Sequence, residues 1–119
     1  MKVLVVGMNP GPKHKDPEKS KSLRKLYEWM DQVGVERFSF CNTFDEVGAA
    51  SMSKVDLKRM CTLTSGYDKI IALGGFVSTV LNKIEVEHFK LPHPSPLNRL
   101  LNDKQFEREI IKQCERYLK

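Results

Sequence analysis

A chain of 119 residues that is 40% hydrophobic and 29% charged has room for one hydrophobic core, and reads as a single domain over 1–119. No apolar run approaches the roughly 20 residues of a membrane span, so no membrane partner is expected. Twenty Lys and Arg against fifteen Asp and Glu give a net charge of +5, a moderate excess that suits a polyanionic partner without requiring one.

The first predicted element is a strand over 2–7 (KVLVVG), a continuous β-branched apolar run of the kind that fills a buried parallel strand. Lys2 before Val3–Val6 superficially resembles a signal peptide, but the run is too short for one and no small-residue cleavage site follows, so a cytoplasmic protein is expected. Residues 8–19 carry three prolines and many charges and read as loop. Ser20 or Ser22 caps a predicted helix with Leu23, Leu26, Tyr27, Met30 and Val33 at helical spacing, ended by Gly34. Residues 37–41 (RFSFC) form a second strand that leads into Asn42. A loop over 43–52 follows, then a helix capped by Ser53 with Leu57, Met60 and Cys61 facing inward, closed by Ser65–Gly66.

Residues 68–73 (DKIIAL) make a third strand, Gly74–Gly75 opens a helix over about 76–83, and 86–91 (VEHFKL) makes a fourth strand. The tail over 103–118 is amphipathic, with Phe106, Ile110, Cys114 and Leu118 on one stripe. The alternation β-α-β-α-β-α-β-α predicts a three-layer α/β/α domain around a four-stranded parallel, or mostly parallel, sheet with right-handed crossovers. Cys41, Cys61 and Cys114 are widely separated, odd in number and form no CxxC pair. They signal neither zinc nor an iron–sulfur cluster and read as small buried apolar groups or inert thiols.

In such a sheet the loops leaving the carboxyl ends of the strands converge on one crevice. Two of them stand out. Gly7-Met8-Asn9-Pro10-Gly11-Pro12 follows the first strand, and its glycines around a fixed-φ proline let backbone and Asn9 approach a ligand closely. It lacks the pattern of a dinucleotide fingerprint or a P-loop, and a plain Asn-capped turn is the alternative. Leu91-Pro92-His93-Pro94-Ser95-Pro96-Leu97-Asn98-Arg99 follows the fourth strand; prolines on both sides fix where His93 points. Ser95 offers a hydroxyl and an N–H to a phosphate, and Leu97 is an apolar wedge at a turn tip; a lone structural histidine is the competing account.

Asn42 carries a donor and an acceptor that match a pyrimidine edge, though an Asn at a strand end is also ordinary. Gly74-Gly75-Phe76 before a helix either offers N–H groups to a phosphate or reflects close βα packing. Lys13, Lys15, Lys19, Lys21, Arg24 and Lys25 cluster after the first motif, where they either lie along a phosphate backbone or form a solvated loop. No GxSxG, Cys–His pair, carboxylate pair or metal-ligand spacing is present; Asp45 and Glu46 are adjacent and read as solvent-facing. Chemistry here rests on neutral amides and an imidazole.

On GMNPGP and HPSPL with Asn98-Arg99, in that order and with an Asn-bearing strand between them, the chain resembles the uracil-DNA glycosylase superfamily, and in particular its Asn-type, single-strand-selective and mismatch-specific branches. The resemblance covers the fold in outline and about fifteen residues with specificity. It implies a four-stranded parallel sheet between helices and hydrolysis of the N-glycosidic bond of uracil or a related pyrimidine after base flipping. By that resemblance Asn9 and His93 are catalytic, Asn9 positioning water and His93 hydrogen-bonding the pyrimidine O2.

Gly7, Met8, Pro10, Gly11 and Asn42 would line the substrate site, with Asn42 reading the base. Ser95, Pro96, Leu97, Asn98, Arg99 and Gly75 would contact DNA. The chain is short between Pro12 and Asn42, where the family supplies a base-stacking aromatic; Phe40 and Phe44 stand nearest Asn42. The cysteines of the iron–sulfur branches are absent. A monomer acting on single- or double-stranded DNA without metal or cofactor is therefore expected. The alternatives are a catalytically inactive nucleic-acid-binding protein of the same fold and an enzyme acting on free nucleotides.

Overall fold

In the computed structural model, which describes residues 1–8, 21–44, 55–95 and 98–119, every residue of the first strand, β1 (Val3–Gly7), is buried. The cause is its place in the sheet. β1 pairs in parallel with β2 (Ser39–Asn42) on one side and with β3 (Lys69–Leu73) on the other, and β4 (Phe89–Leu91) adds to β3. A strand with neighbours on both sides and helices on both faces has no solvent face, so VLVVG need not alternate with polar residues. The order β2-β1-β3-β4, all parallel, is a single-domain α/β fold of the expected architecture.

Strand parity divides the core in two. Val3, Val5, Ile71, Leu73 and Leu91 face α1 (Lys21–Gln32) and α4 (Lys104–Leu118), meeting Leu26, Trp29, Met30, Ile111, Cys114 and Leu118. Leu4, Val6, Ile70 and Ala72 face α2 (Leu57–Thr64) and α3 (Gly75–Lys83), meeting Met60, Val77, Val80 and Leu81. The chain adds β2 on one side of β1 and then crosses to build β3 and β4 on the other. That reversal puts the switch point between β1 and β3, where the carboxyl-end crevice of an open parallel sheet lies.

Several sequence expectations shift. Tyr27 is half exposed, its ring 5.4 Å from that of Phe38, and Trp29 takes the buried position instead. A residue at i+3 from Leu26 shares its face as well as one at i+4, and the larger indole fills the space over β1. Cys114 is fully buried in α4 as expected, but Ile111 is buried where Ile110 is only partly so. Helix α2 is capped by Asp56, whose carboxylate accepts from the Arg59 N–H at 2.9 Å; Ser53, the expected cap, lies outside the described residues. With the helix starting at Leu57, Met60 and Thr64 face inward while Leu57 and Cys61 are exposed.

Strand β4 is three residues long rather than six. Glu85 takes a left-handed φ of 57°, and the His88 ring donates from Nδ1 to the Val86 carbonyl at 2.7 Å, which curls the chain before it reaches β3.

The buried indole of Trp29 donates from Nε1 to Glu107 Oε1 at 3.2 Å, and Lys25 pairs with the same carboxylate. This ties α1 to α4. Burial alone would push the Glu107 carboxyl up, but hydrogen bonds from Lys25 and Trp29 and the charges of Lys25 and Lys104 hold it below the ordinary value. The stability it supplies is therefore present above about pH 4.5 and lost as pH falls through the lowered pKa. Glu107→Leu, which strands the indole N–H, should cost about 1–3 kcal/mol in urea unfolding at pH 7. That deficit should shrink as pH falls through the lowered pKa, where the wild type itself loses the charge.

Candidate functional site

The carboxyl end of β2 sits directly against the carboxyl end of β1, with Asn42 opposite Gly7 in register. The ladder continues past the strand. The Thr43 N–H donates to the Gly7 carbonyl at 2.8 Å, its hydroxyl donates to the same oxygen at 3.0 Å, and the Phe44 N–H donates to the Met8 carbonyl at 2.9 Å. Both carbonyls at this turn are thus committed to holding β2, and Met8 sends its side chain toward the α2–α3 face.

Gly7 is empty for a reason that its own backbone does not require. A Cβ built there would lie 2.9 Å from Asn42 Oδ1 and 2.9 Å from Phe40 Cζ. Residues 40 and 42 project from the same face of β2, two apart, and both lean over Gly7. The result is an amide and an aromatic ring side by side at the edge of the crevice. Phe40 is 37% exposed, whereas Phe44 is 6% exposed and packs its ring 5.7 Å from that of Phe76. Of the two aromatics singled out from the sequence, Phe40 stands open to a ligand and Phe44 belongs to the core.

At the other edge, β4 delivers His93. The Ser95 N–H donates to His93 Nδ1 at 3.2 Å. An N–H can donate only to a ring nitrogen without a proton, so this contact favours the neutral imidazole with its hydrogen on Nε2. His93 is exposed as a residue, and the desolvation of its ring lowers the pKa from 6.5, in the direction of the neutral form. The turn is braced from within. Asn98 Nδ2 donates to the His93 carbonyl at 2.9 Å and Asn98 Oδ1 accepts from the Leu100 N–H at 3.1 Å, capping a short 3-10 turn over Arg99–Asn102. Asn98, expected at DNA, spends its side chain inside the turn, and the Ser95 N–H expected at a phosphate is bound to His93. Arg99 is exposed.

Gly74 joins this edge to β3. Its N–H donates to the Leu91 carbonyl at 2.8 Å, and its φ of +91° turns the chain into α3. A Cβ there would lie 3.7 Å from that of His93, so the start of α3 and the histidine are neighbours. Gly75 is exposed, with open space where a side chain would stand. Asn42 and His93 leave the same end of the sheet on opposite edge strands. Three strand spacings of about 4.8 Å put them roughly 14 Å apart at the strand ends, with β1 and β3 between.

Asn9, Pro10, Gly11, Pro96 and Leu97 lie outside the described residues, as do Asp45, Glu46 and the basic residues Lys13, Lys15 and Lys19. Of the remaining basic cluster, Lys25 is committed to Glu107 rather than to the site. Among the described residues no group of three or more His, Cys, Asp or Glu side chains could hold a metal ion, and no helix is long and apolar enough to cross a membrane. No protein-family model and no curated protein matches the chain.

Proposed function

We propose that the chain is a DNA glycosylase of the uracil-DNA glycosylase superfamily, hydrolysing the bond between deoxyribose and uracil or a related pyrimidine without metal or cofactor. The observation that carries this reading is the Ser95 N–H on His93 Nδ1, which favours a neutral ring and leaves its Nε2 hydrogen for a ligand. Cleavage of an N-glycosidic bond through an oxocarbenium-like state pushes negative charge onto the departing base. A donor held in advance at the pyrimidine O2 stabilises that charge where it forms, at no cost in reorganisation. The Asn42 amide can match the adjacent C=O and N–H of the base, and the exposed Phe40 ring can stack on its face. In this reading Asn9 positions the attacking water, and Leu97 fills the space the flipped base leaves.

The test is a labelled oligonucleotide carrying one uracil, as a single strand and opposite guanine, incubated with stoichiometric protein and then treated with alkali. Strand scission at the uracil is the expected result. Its absence with uracil and with a panel of damaged pyrimidines overturns the proposal and leaves a nucleic-acid-binding domain or an enzyme of free nucleotides. Phe40→Ala separates stacking from hydrogen bonding. Loss of one base–aromatic stack should weaken binding of a uracil-containing oligonucleotide by about 1–3 kcal/mol, read as Kd by fluorescence anisotropy.

A further inference from the structure

Strand β2 is an edge strand, and the side chain at its end can read a base only if the backbone beneath it is held at a fixed height. On one flank Gly7 and Met8 provide that hold. On the other, the guanidinium of Arg59 donates from Nη1 to the Asn42 carbonyl at 3.3 Å and to the Thr43 carbonyl at 3.3 Å. Arg59 is itself anchored, because its N–H is bound by the Asp56 cap in the first turn of α2. It is half-buried. Its charge also reaches Cys41, where it opposes the burial that pushes that thiol up to about 11.

We infer that Arg59 is the positioning residue of the base-reading amide, clamping the two carbonyls at the end of β2 so that Asn42 stays over Gly7. The inference rests on the base-excision reading for its consequence in catalysis, but the clamp is a property of the fold. A guanidinium keeps its charge at any working pH and has hydrogens to serve two acceptors at once, which an ammonium on a shorter reach does less well. Unlike Asn42 it touches no base: it acts through the backbone. Without it, the edge carbonyls would turn to water and the amide would swing with them.

The experiment compares Arg59→Met, which keeps an unbranched apolar stem, with Asn42→Ala and the double variant, in single-turnover base release at saturating protein. Displacing a reading group by about 1 Å costs up to a hundredfold in rate, so Arg59→Met is expected to slow release by about tenfold to a hundredfold. Affinity for undamaged DNA should stay unchanged. In the Asn42→Ala background the same change should add almost nothing, because both act through one amide. Full additivity, or an equal loss of rate and thermal stability, assigns Arg59 a merely structural role and overturns the inference.

The side-chain amide resonances of Asn42, followed by NMR in both proteins, give a second readout that does not need activity. Asn42 amide shifts that move toward random-coil values, or broaden, in Arg59→Met support the clamp, and unchanged shifts and linewidths overturn it. Should the wild type release no base while these resonances respond to Arg59→Met, the glycosylase reading fails and the clamp stands.

Discussion

Replacing His93 by Ala should slow base release by about 10²–10³-fold, the usual loss when one preorganised donor to a developing oxyanion is removed. The fold should survive the change. The bond that braces this turn from Asn98 ends on the His93 main-chain carbonyl, not on its ring, and the Leu100 N–H keeps its partner. Only the Ser95 N–H loses an acceptor, and it stands at an exposed position where water can replace the ring. Binding of uracil-containing DNA should therefore change little while the single-turnover rate collapses. A His93→Ala protein that releases base at the wild-type rate would remove the imidazole from the chemistry.

The same geometry fixes the pH dependence. With its pKa lowered below 6.5 by burial, His93 is neutral at pH 7, and its Nδ1 accepts from Ser95. Protonation puts a hydrogen on Nδ1 facing that N–H, so the ring must leave its seat. Release rates should be flat at mildly alkaline pH and fall as pH drops through the lowered pKa. The stability of the turn follows the same sign, since the unfolded chain binds the proton more readily there and stability drains as pH drops. A rate that rises on acidification would mean that imidazolium is the donor and that the Ser95 brace is dispensable.

Much of the fold could be read because the elements that position the site are the ones with the least ambiguous patterns. The unbroken β-branched apolar run of β1, too short for a signal peptide, fits a strand covered on both faces, and it is buried throughout. Asn42 is legible as a strand end because the apolar alternation stops there. What escaped was long-range. Nothing local to Arg59 says that it reaches back seventeen residues to a pair of carbonyls, and nothing near Trp29 announces a partner seventy-eight residues away in Glu107.

The Pro-rich turn advertised its rigidity but not its wiring. Ser95 and Asn98 have side chains and N–H groups fit for phosphates, and only coordinates reveal that the Ser95 N–H and the Asn98 amide are spent on His93 and its turn. Parity does not separate Phe40 from Phe44; the end of the strand does. Residues 40 and 42 share a face of β2 with each other and not with Cys41, whereas residue 44 lies beyond the strand and packs on Phe76.

Gly7→Ala is the second substitution expected to act strongly, and it tests the site without touching any group that would do chemistry. The new methyl group would meet Asn42 Oδ1 and Phe40 Cζ at 2.9 Å each, closer than carbon atoms stand to such neighbours. The backbone at Gly7 is ordinary strand, so the change introduces no φ strain and removes no ladder bond. Relief can come only from the two side chains. Phe40 is at the surface and can rotate away, and the amide above it must tilt. Both are the groups proposed to hold the base.

Base release should thus fall by as much as a hundredfold, the scale of a roughly 1 Å misplacement, while thermal unfolding shifts by only a few degrees. Pairing the change with Phe40→Ala separates the two collisions. If the double variant regains most of the rate, the ring was the obstacle and Asn42 had kept its place. If it does not, the amide was displaced, and the empty position at Gly7 exists to let Asn42 lie flat against β1.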